Sequence, residues 1–259
     1  MIAAPNFTRL PGIYVSGGSS GGFLNPVIVI ALTVYRGFPW RRVPLYVLVQ
    51  VLGAFCGALL AFGVYYDSII YLDGALLPES TGVSLYTQPR DWVRISTAFF
   101  CELLGSAVIT CTIMALGDSG NSPPGAGMHA FIIGLVITAT TMALAWPTRG
   151  CFNPARDFGP RLAALAVGYP TTSFSARESW WIWGGWVAPT LGGLVGGLAY
   201  DLCIFKGGES PVNYSFGRWR NKTLKGESNM LKKAFRSRKH IAIDQRLESG
   251  SATAMEDRR

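Results

Sequence analysis

The chain has 259 residues, of which 49% are apolar and only 15% charged, and its mean hydropathy is positive. That bias argues against an ordinary soluble domain and for a protein built inside a membrane. The net charge is +8, but residues 206–259 hold 13 Lys/Arg against 6 Asp/Glu and so carry +7 of it.

Residues 1–24 contain Pro5, Arg9, Pro11 and several glycines. They lack the basic stretch followed by an apolar core that marks a cleavable leader. Next comes "GGFLNPVIVIALTVYRGFP", in which Asn25-Pro26 opens an apolar run. Four runs then reach spanning length, about 20 residues: 43–66, 95–117, 126–146 and 180–205. None shows the polar face of a soluble core helix. Between the third and fourth lies "RGCFNPARDFGPRLAALAVGYP", which sets Asn153, Arg156, Asp157 and Arg161 in apolar surroundings. The basic tail 206–259 is expected to be disordered and cytosolic. It shows no folded basic module of the kind that binds nucleic acid.

Arg36, Arg41 and Arg42 precede the 43–66 run, so that run starts on the cytoplasmic side. Four spans return the tail to the same side. The Asn25 segment therefore enters from inside and the Asn153 segment from outside. Each has Gly three residues before its Asn, at Gly22 and Gly150, and each ends near a Gly-x-Pro, at Gly37–Pro39 and Gly168–Pro170. The two read as one unit used twice in opposite orientation, the pattern of transport proteins. Asn is a favoured helix N-cap and Pro suits the first helical position, so each segment is expected to be a half-length helix that starts inside the membrane. Irregular backbone at that depth must be buried or line a watery path. With its oxygen used for capping, each Asn is expected to turn its amide hydrogens into that path. Two facing N-termini add partial positive charge, which repels protons and cations.

The five cysteines, Cys56, Cys101, Cys111, Cys151 and Cys203, show no ligand spacing, and His129 and His240 stand apart. They are read as packing residues, with no disulfide and no metal site. A lone carboxylate in a span, Glu102 in "FFCELLGSA", needs a partner, and the backbone N–H groups of the loop before Asn153 would suit.

"LNPV", "NPARDFGPRLA" and the helix spacing resemble the major intrinsic protein family, the aquaporins and aquaglyceroporins, from roughly Tyr14 to Phe205. The first half looks most like the fungal aquaglyceroporins. The resemblance implies an all-α membrane fold, an aquaporin-like inverted repeat with two Asn-Pro half-helices. It divides the chain into a channel domain, 1–205, with a first repeat at 1–66 and a second at 95–205, and the tail. Each family half runs span, span, half-helix, span. The second half is complete, whereas the first span and most of the second are expected to be absent, leaving about four full spans.

The roles implied are specific. Asn25 and Asn153 match the central donors, with Pro26, Val27, Pro154 and Ala155 completing the signature tripeptides. Arg156 matches the arginine of the outer constriction, rather than one that snorkels to headgroups. Asp157 and Arg161 match positions that mark glycerol-type members, and they also form an i, i+4 ion pair. Glu102 matches a glutamate that supports the loop. Thr141 falls near a position that is histidine in water-selective members and favours a wider opening. Gly150 takes a constriction position that often carries an aromatic or a cysteine. Val27 replaces an alanine and is expected to narrow the path slightly. Phe23 stands where histidine is usual, and Gly185-Trp186 replace the Pro-apolar pair expected for a glycerol channel. Gly192, Gly193, Gly196 and Gly197 are read as close helix packing, and Trp180, Trp181, Trp183 and Trp186 as an interfacial belt. Cys151 is either a buried thiol or one that mercurials reach from the path.

These readings converge on a passive channel for glycerol, water and small uncharged solutes, with no catalysis and no cofactor. A homotetramer in the lipid bilayer of the plasma membrane is expected, with the tail in the cytosol. The alternatives are a non-conducting truncated relative that acts only by assembling with longer ones and, last, an ion-coupled transporter, for which only Glu102 and Asp157 could serve.

Overall fold

The computed structural model describes residues 9–125, 127–208 and 210–212. The expectation of a disordered cytosolic tail falls almost wholly outside the described residues. The described residues fall in one compact unit, and its described elements are all helical. The main helices are α1 (Arg9–Ser20), α2 (Pro26–Arg36), α3 (Val43–Asp73), α4 (Ile95–Leu116), α5 (His129–Leu144), α6 (Pro154–Ala166) and α7 (Ala188–Cys203), with further helical pieces at Pro78–Gly82, Val83–Leu85 and Thr172–Ile182.

Local chemistry sets the boundaries. Asn25 caps α2 and Gly37, left-handed at φ 68°, ends it. The α3 helix outruns the apolar stretch 43–66. Nothing between Asp67 and Asp73 breaks a helix, and it stops only where Gly74 takes φ 63° and donates its N–H to Ile70 O. A three-residue 3₁₀ turn, Trp40–Arg42, leads into it. Trp40–Asp73 and Ile95–Leu116 are each long and apolar enough to cross a membrane. The 126–146 run gives a shorter helix, α5, and Ala126 lies outside the described residues. The 180–205 run is not one regular helix. Arg177, Glu178 and Ser179 are left-handed, a π-turn follows at Trp183–Val187, and only then does α7 begin, with Pro189 in its first turn.

The packing crosses the repeats. The half-helix of the first repeat, α2, lies on α7, the last helix of the second, and α6 lies on α3, the last helix of the first. The α4 and α7 helices form the most extensive pairing, and α1 rests on α5. Glycine makes the α7 contacts possible. A Cβ at Gly192 would sit 2.1 Å from Leu103 O, and one at Gly196 2.1 Å from Ala107 O, both on α4. One residue on, a Cβ at Gly193 would sit 2.1 Å from a Val27 methyl and one at Gly197 2.6 Å from the Tyr35 ring, both on α2. The small-residue spacing therefore serves two faces at once. On the other half-helix, a Cβ at Gly159 would meet Val51 O of α3 at 2.6 Å.

The end bearing residues 74–94 and 145–153 is called the loop end here, and the end bearing residues 37–42 and 204–212 the tail end. At the tail end Arg36 donates to both carboxylate oxygens of Asp201, at 2.7 and 3.0 Å. Its guanidinium lies 4.1 Å over the Phe205 ring. Tyr35 Oη donates to Leu194 O. These bonds fix the C-terminus of α2 on α7. Gly196→Val is expected to destabilise the protein by about 1–3 kcal/mol through overpacking, read as a lowered midpoint in thermal unfolding of the detergent-solubilised chain. Gly57→Val, on α3 with open space around its Cα, serves as the control and is expected to change little.

Candidate functional site

The two half-helices meet through their caps. Asn25 Oδ1 accepts from Val27 N at 3.0 Å, and Asn153 Oδ1 from Ala155 N at 3.0 Å and Arg156 N at 3.3 Å. Each side-chain amide then reaches across. Asn25 Nδ2 donates to Phe152 O at 2.9 Å, and Asn153 Nδ2 donates to Leu24 O at 2.9 Å. Each Asn thus binds the carbonyl that precedes the other Asn. An amide nitrogen carries two hydrogens. One of each pair is therefore spent on this clasp and one is left, where the sequence suggested that both were free.

Below the clasp, Glu102 of α4 is completely buried. Its carboxylate accepts from Cys151 N at 2.9 Å and Phe152 N at 2.8 Å. Charge-assisted bonds to two loop N–H groups offset much of the cost of burying the carboxylate. They also hold Phe152 at φ 48°, its ring packed against Gly105, where a Cβ would lie 2.2 Å from the ring. The first loop has a different anchor: Gln50 Nε2 of α3 donates to Phe23 O at 2.8 Å.

The charged residues after Asn153 separate into two environments. Arg156 is partly exposed and gives one Nη hydrogen to Leu85 O at 3.2 Å. Asp157 is fully buried and Arg161 is 1% exposed. Asp157 Oδ1 accepts from Thr87 N at 2.7 Å, from the Thr87 hydroxyl and from Arg161 Nη2 at 3.0 Å, and Oδ2 accepts from Arg161 Nε at 3.1 Å. Arg161 also donates to Thr87 O at 2.7 Å and to Ser173 O. Its guanidinium lies 4.3 Å over Tyr86. Burial pushes the Tyr86 phenol up to about 12, so it stays a donor to Pro78 O. The Asp157–Arg161 pair is thus a buried rivet between α6, the loop at 85–93 and Ser173 at the start of the Thr172–Ile182 helix. The surface-like reading of an i, i+4 pair understates it.

Other expected positions move. Val27 is 1% exposed, and a methyl fills the space over Gly193. It packs α2 on α7 instead of narrowing a path. Ala155 is likewise buried. Pro26 and Pro154 occupy the first helical positions. Thr141 is buried and donates back to Ile137 O at 2.7 Å. Gly150, at φ 65°, has no room for a side chain, since its Cβ would lie 2.7 Å from Ala145 Cβ. Cys151 is buried, its Sγ 3.3 Å from Asn153 O. Trp180 is 1% exposed and so no belt residue. Trp181 stacks on Phe158 at 5.4 Å and Trp186 meets the same ring edge-on at 6.0 Å; of the four, Trp183 faces out, at 49%. Gly185 sits tight against Asp157, a Cβ there falling 3.0 Å from Oδ2. Thr87, Gln50 and Asp201 escaped the sequence reading, and Arg36 was read only for orientation, without its ion pair to Asp201. An acid near the end of an apolar run was the one signal, for Asp201. Among the described residues no cluster of His, Cys, Asp or Glu is placed to hold a metal.

Asp157→Ala leaves Arg161 buried without its partner and is expected to cost about 3–5 kcal/mol. Asp157→Ala combined with Arg161→Met should recover part of that loss. Chemical or thermal unfolding of both variants, compared as a double-mutant cycle, checks it.

The family model described as "Major intrinsic protein" matches residues 6–200. The chain is 50% identical over 220 residues to aquaglyceroporin-4 of Botryotinia fuckeliana, covering 82% of this chain and 30% of that one. It is 44% identical to an aquaglycerol porin of Saccharomyces cerevisiae, covering 80% and 32%, and 38% identical to an aquaporin of Laccaria bicolor, covering 78% of each. The chain thus spans about a third of the length of the first two relatives. The X-ray structure of the aquaglyceroporin from Plasmodium falciparum superposes with a TM-score of 0.71 at 25% identity, over 78% of this chain and 81% of that one.

Proposed function

Because this chain belongs to the major intrinsic protein family, a family of integral membrane channels, we propose that it forms a passive path for glycerol, water and other small uncharged solutes. The observation that carries this reading is the reciprocal Asn clasp, which closes two half-helices N-terminus to N-terminus and leaves one amide hydrogen on each Asn. A hydroxyl passing between them would replace a lost water bond with a bond to Asn25 and then Asn153. Neutral polar solutes are thereby compensated for desolvation, while the positive ends of two helices oppose cations.

Arg156 would be the outer donor. Its contact with Leu85 O holds the guanidinium in place, and the remaining hydrogens suit solute hydroxyls. Glu102 would act by holding Cys151 and Phe152 so that Phe152 O meets Asn25. Asp157 and Arg161 would act through position, since neither is exposed. Thr141 and Gly150 would shape the opening by being small.

Positive charge at Arg36, Arg41 and Arg42 supports a cytosolic tail end, and the plasma membrane is the membrane we assign. The α3 face with Leu45, Leu48, Val49, Leu52, Leu60 and Val64 is exposed. It fits lipid or neighbouring copies, in line with a homotetramer.

Stopped-flow light scattering on liposomes holding the chain tests the reading. Glycerol entry should exceed that of empty liposomes, with sucrose excluded. Asn153→Asp removes the cross-clasp donors at a cost of about 1–3 kcal/mol and is expected to cut glycerol entry by about tenfold or more. Entry no faster than in empty liposomes, from protein shown to be inserted, would overturn it.

A further inference from the structure

The two repeats use small residues in the same rhythm. Gly192-Gly193-x-x-Gly196-Gly197 on α7 has a counterpart in Gly53-Ala54-x-x-Gly57-Ala58 on α3. The second member of each pair faces inward. Gly193 and Gly197 take Val27 and Tyr35 of α2, Ala54 meets Gly159 of α6, and Ala58 is buried. The first members differ between the repeats. Gly192 and Gly196 lie against Leu103 O and Ala107 O of α4, whereas Gly53 and Gly57 are exposed, and a Cβ on either would have no atom within 4 Å. The α1 helix repeats the contrast. In the second repeat α4 packs on α5 as well as on α7. In the first, α1 leads to α2 as α5 leads to α6, and its Gly17 and Gly18 are exposed with the same open space. Tyr46 Oη of α3 donates to Ser20 O of α1 at 3.0 Å, which ties the two open surfaces together.

The loops differ in the same sense, independently of the glycines. Cys151 and Phe152, the two residues before Asn153, give their N–H groups to Glu102 of α4. Phe23 and Leu24 hold the same two places before Asn25, and their N–H groups donate to none of the described residues. Gln50 reaches Phe23 only through its carbonyl. Two N–H groups beside the start of α2 therefore lack the acceptor that their counterparts have. Lipid tails can lie against exposed glycines, but they offer such groups nothing. A helix that comes close and carries a carboxylate suits both features. The α4 helix of a second copy does not, since its Glu102 already serves Cys151 and Phe152 and its Leu103–Ala107 face already lies on α7.

We propose that the face formed by α1 and α3 binds an apolar membrane-spanning helix of another protein, which carries one carboxylate to accept from Phe23 N and Leu24 N. The α4 helix gives the expected pattern. Glu102 directly precedes the residue whose carbonyl meets the first glycine, and the second carbonyl follows four residues on. Numbers rise together along the α4–α7 contact, so those helices run parallel. The bound helix accordingly runs parallel to α3, from the tail end to the loop end. None of this requires the chain to conduct.

The test mixes the full chain in detergent with a synthetic helix of the α4 sequence, residues 95–116, flanked by lysines. The thermal midpoint should rise with peptide concentration. Hydrogen–deuterium exchange of the segment holding Phe23 and Leu24, read by mass spectrometry, should slow by about tenfold or more. A peptide carrying Glu102→Gln should lose that protection and raise the midpoint less. Gly57→Val in the chain should abolish both effects by blocking close approach, while the midpoint without peptide stays near that of the parent. A midpoint indifferent to the unaltered peptide sinks the proposal, as does protection that survives Glu102→Gln or Gly57→Val. Protection of the same segment that grows with chain concentration, without peptide, would assign the face to a second copy and overturn it too. Neither readout measures flux, so failure of the channel reading stays distinguishable.

Discussion

Everything in this structure turns on what happens when two helix N-termini stop inside an apolar protein. Each leaves N–H groups without partners, and no bulk water is at hand to take them. The chain settles this with one residue type used twice. Asn supplies an acceptor to its own helix and a donor to the opposite loop, and the exchange between Asn25, Phe152, Asn153 and Leu24 satisfies both loops together. Neither half can be placed without the other.

That mutual dependence explains the crossed packing. Because each half-helix must reach the middle from its own side, its flank ends up against the helix that closes the other repeat. The α2–α7 and α6–α3 contacts are the result. Space is the limiting quantity there, so glycines meet carbonyls on α4 and a valine methyl on α2. Polar rivets then fix the far ends. Arg36 and Asp201 hold α2 at the tail end, and Asp157, Arg161 and Thr87 hold α6 at the loop end. The repeats are alike in backbone and unlike in fastening.

What could be read from the sequence was local or forced. Asn-Pro is a cap wherever it precedes an apolar run, so both half-helices were legible, with their ends. Glu102 was legible because a lone buried carboxylate must find donors, and the loop N–H groups were the nearest unsatisfied ones. Facing was not legible. The tripeptide around Val27 does not say which side of α2 meets α7, and an isolated tryptophan run does not say that Trp180 turns inward. Partners distant in sequence were also hidden. Arg36 and Asp201 are 165 residues apart, and Thr87 lies 70 residues from Asp157. The overrun of α3 past Tyr66 was missed because apolarity marks where lipid ends, whereas helices end at breakers, here Gly74.

That overrun sets the height of the mouth. The 31 residues of α3 make a rod about 46 Å long. Trp40, Arg41 and Arg42 at its start are the residue types that anchor at a membrane interface, so the excess lies on the far side. A tilt of about 20° shortens its reach by only about 3 Å. Some 30 Å crosses hydrocarbon and a further 5–8 Å or so crosses headgroups. The top of α3 then stands clear of the lipid surface, and the turn at Pro78–Gly82, tied to Asp73 through Ser80 and Thr81, forms a raised collar. On the channel reading, a solute arriving from that side would meet this collar before it reached either half-helix.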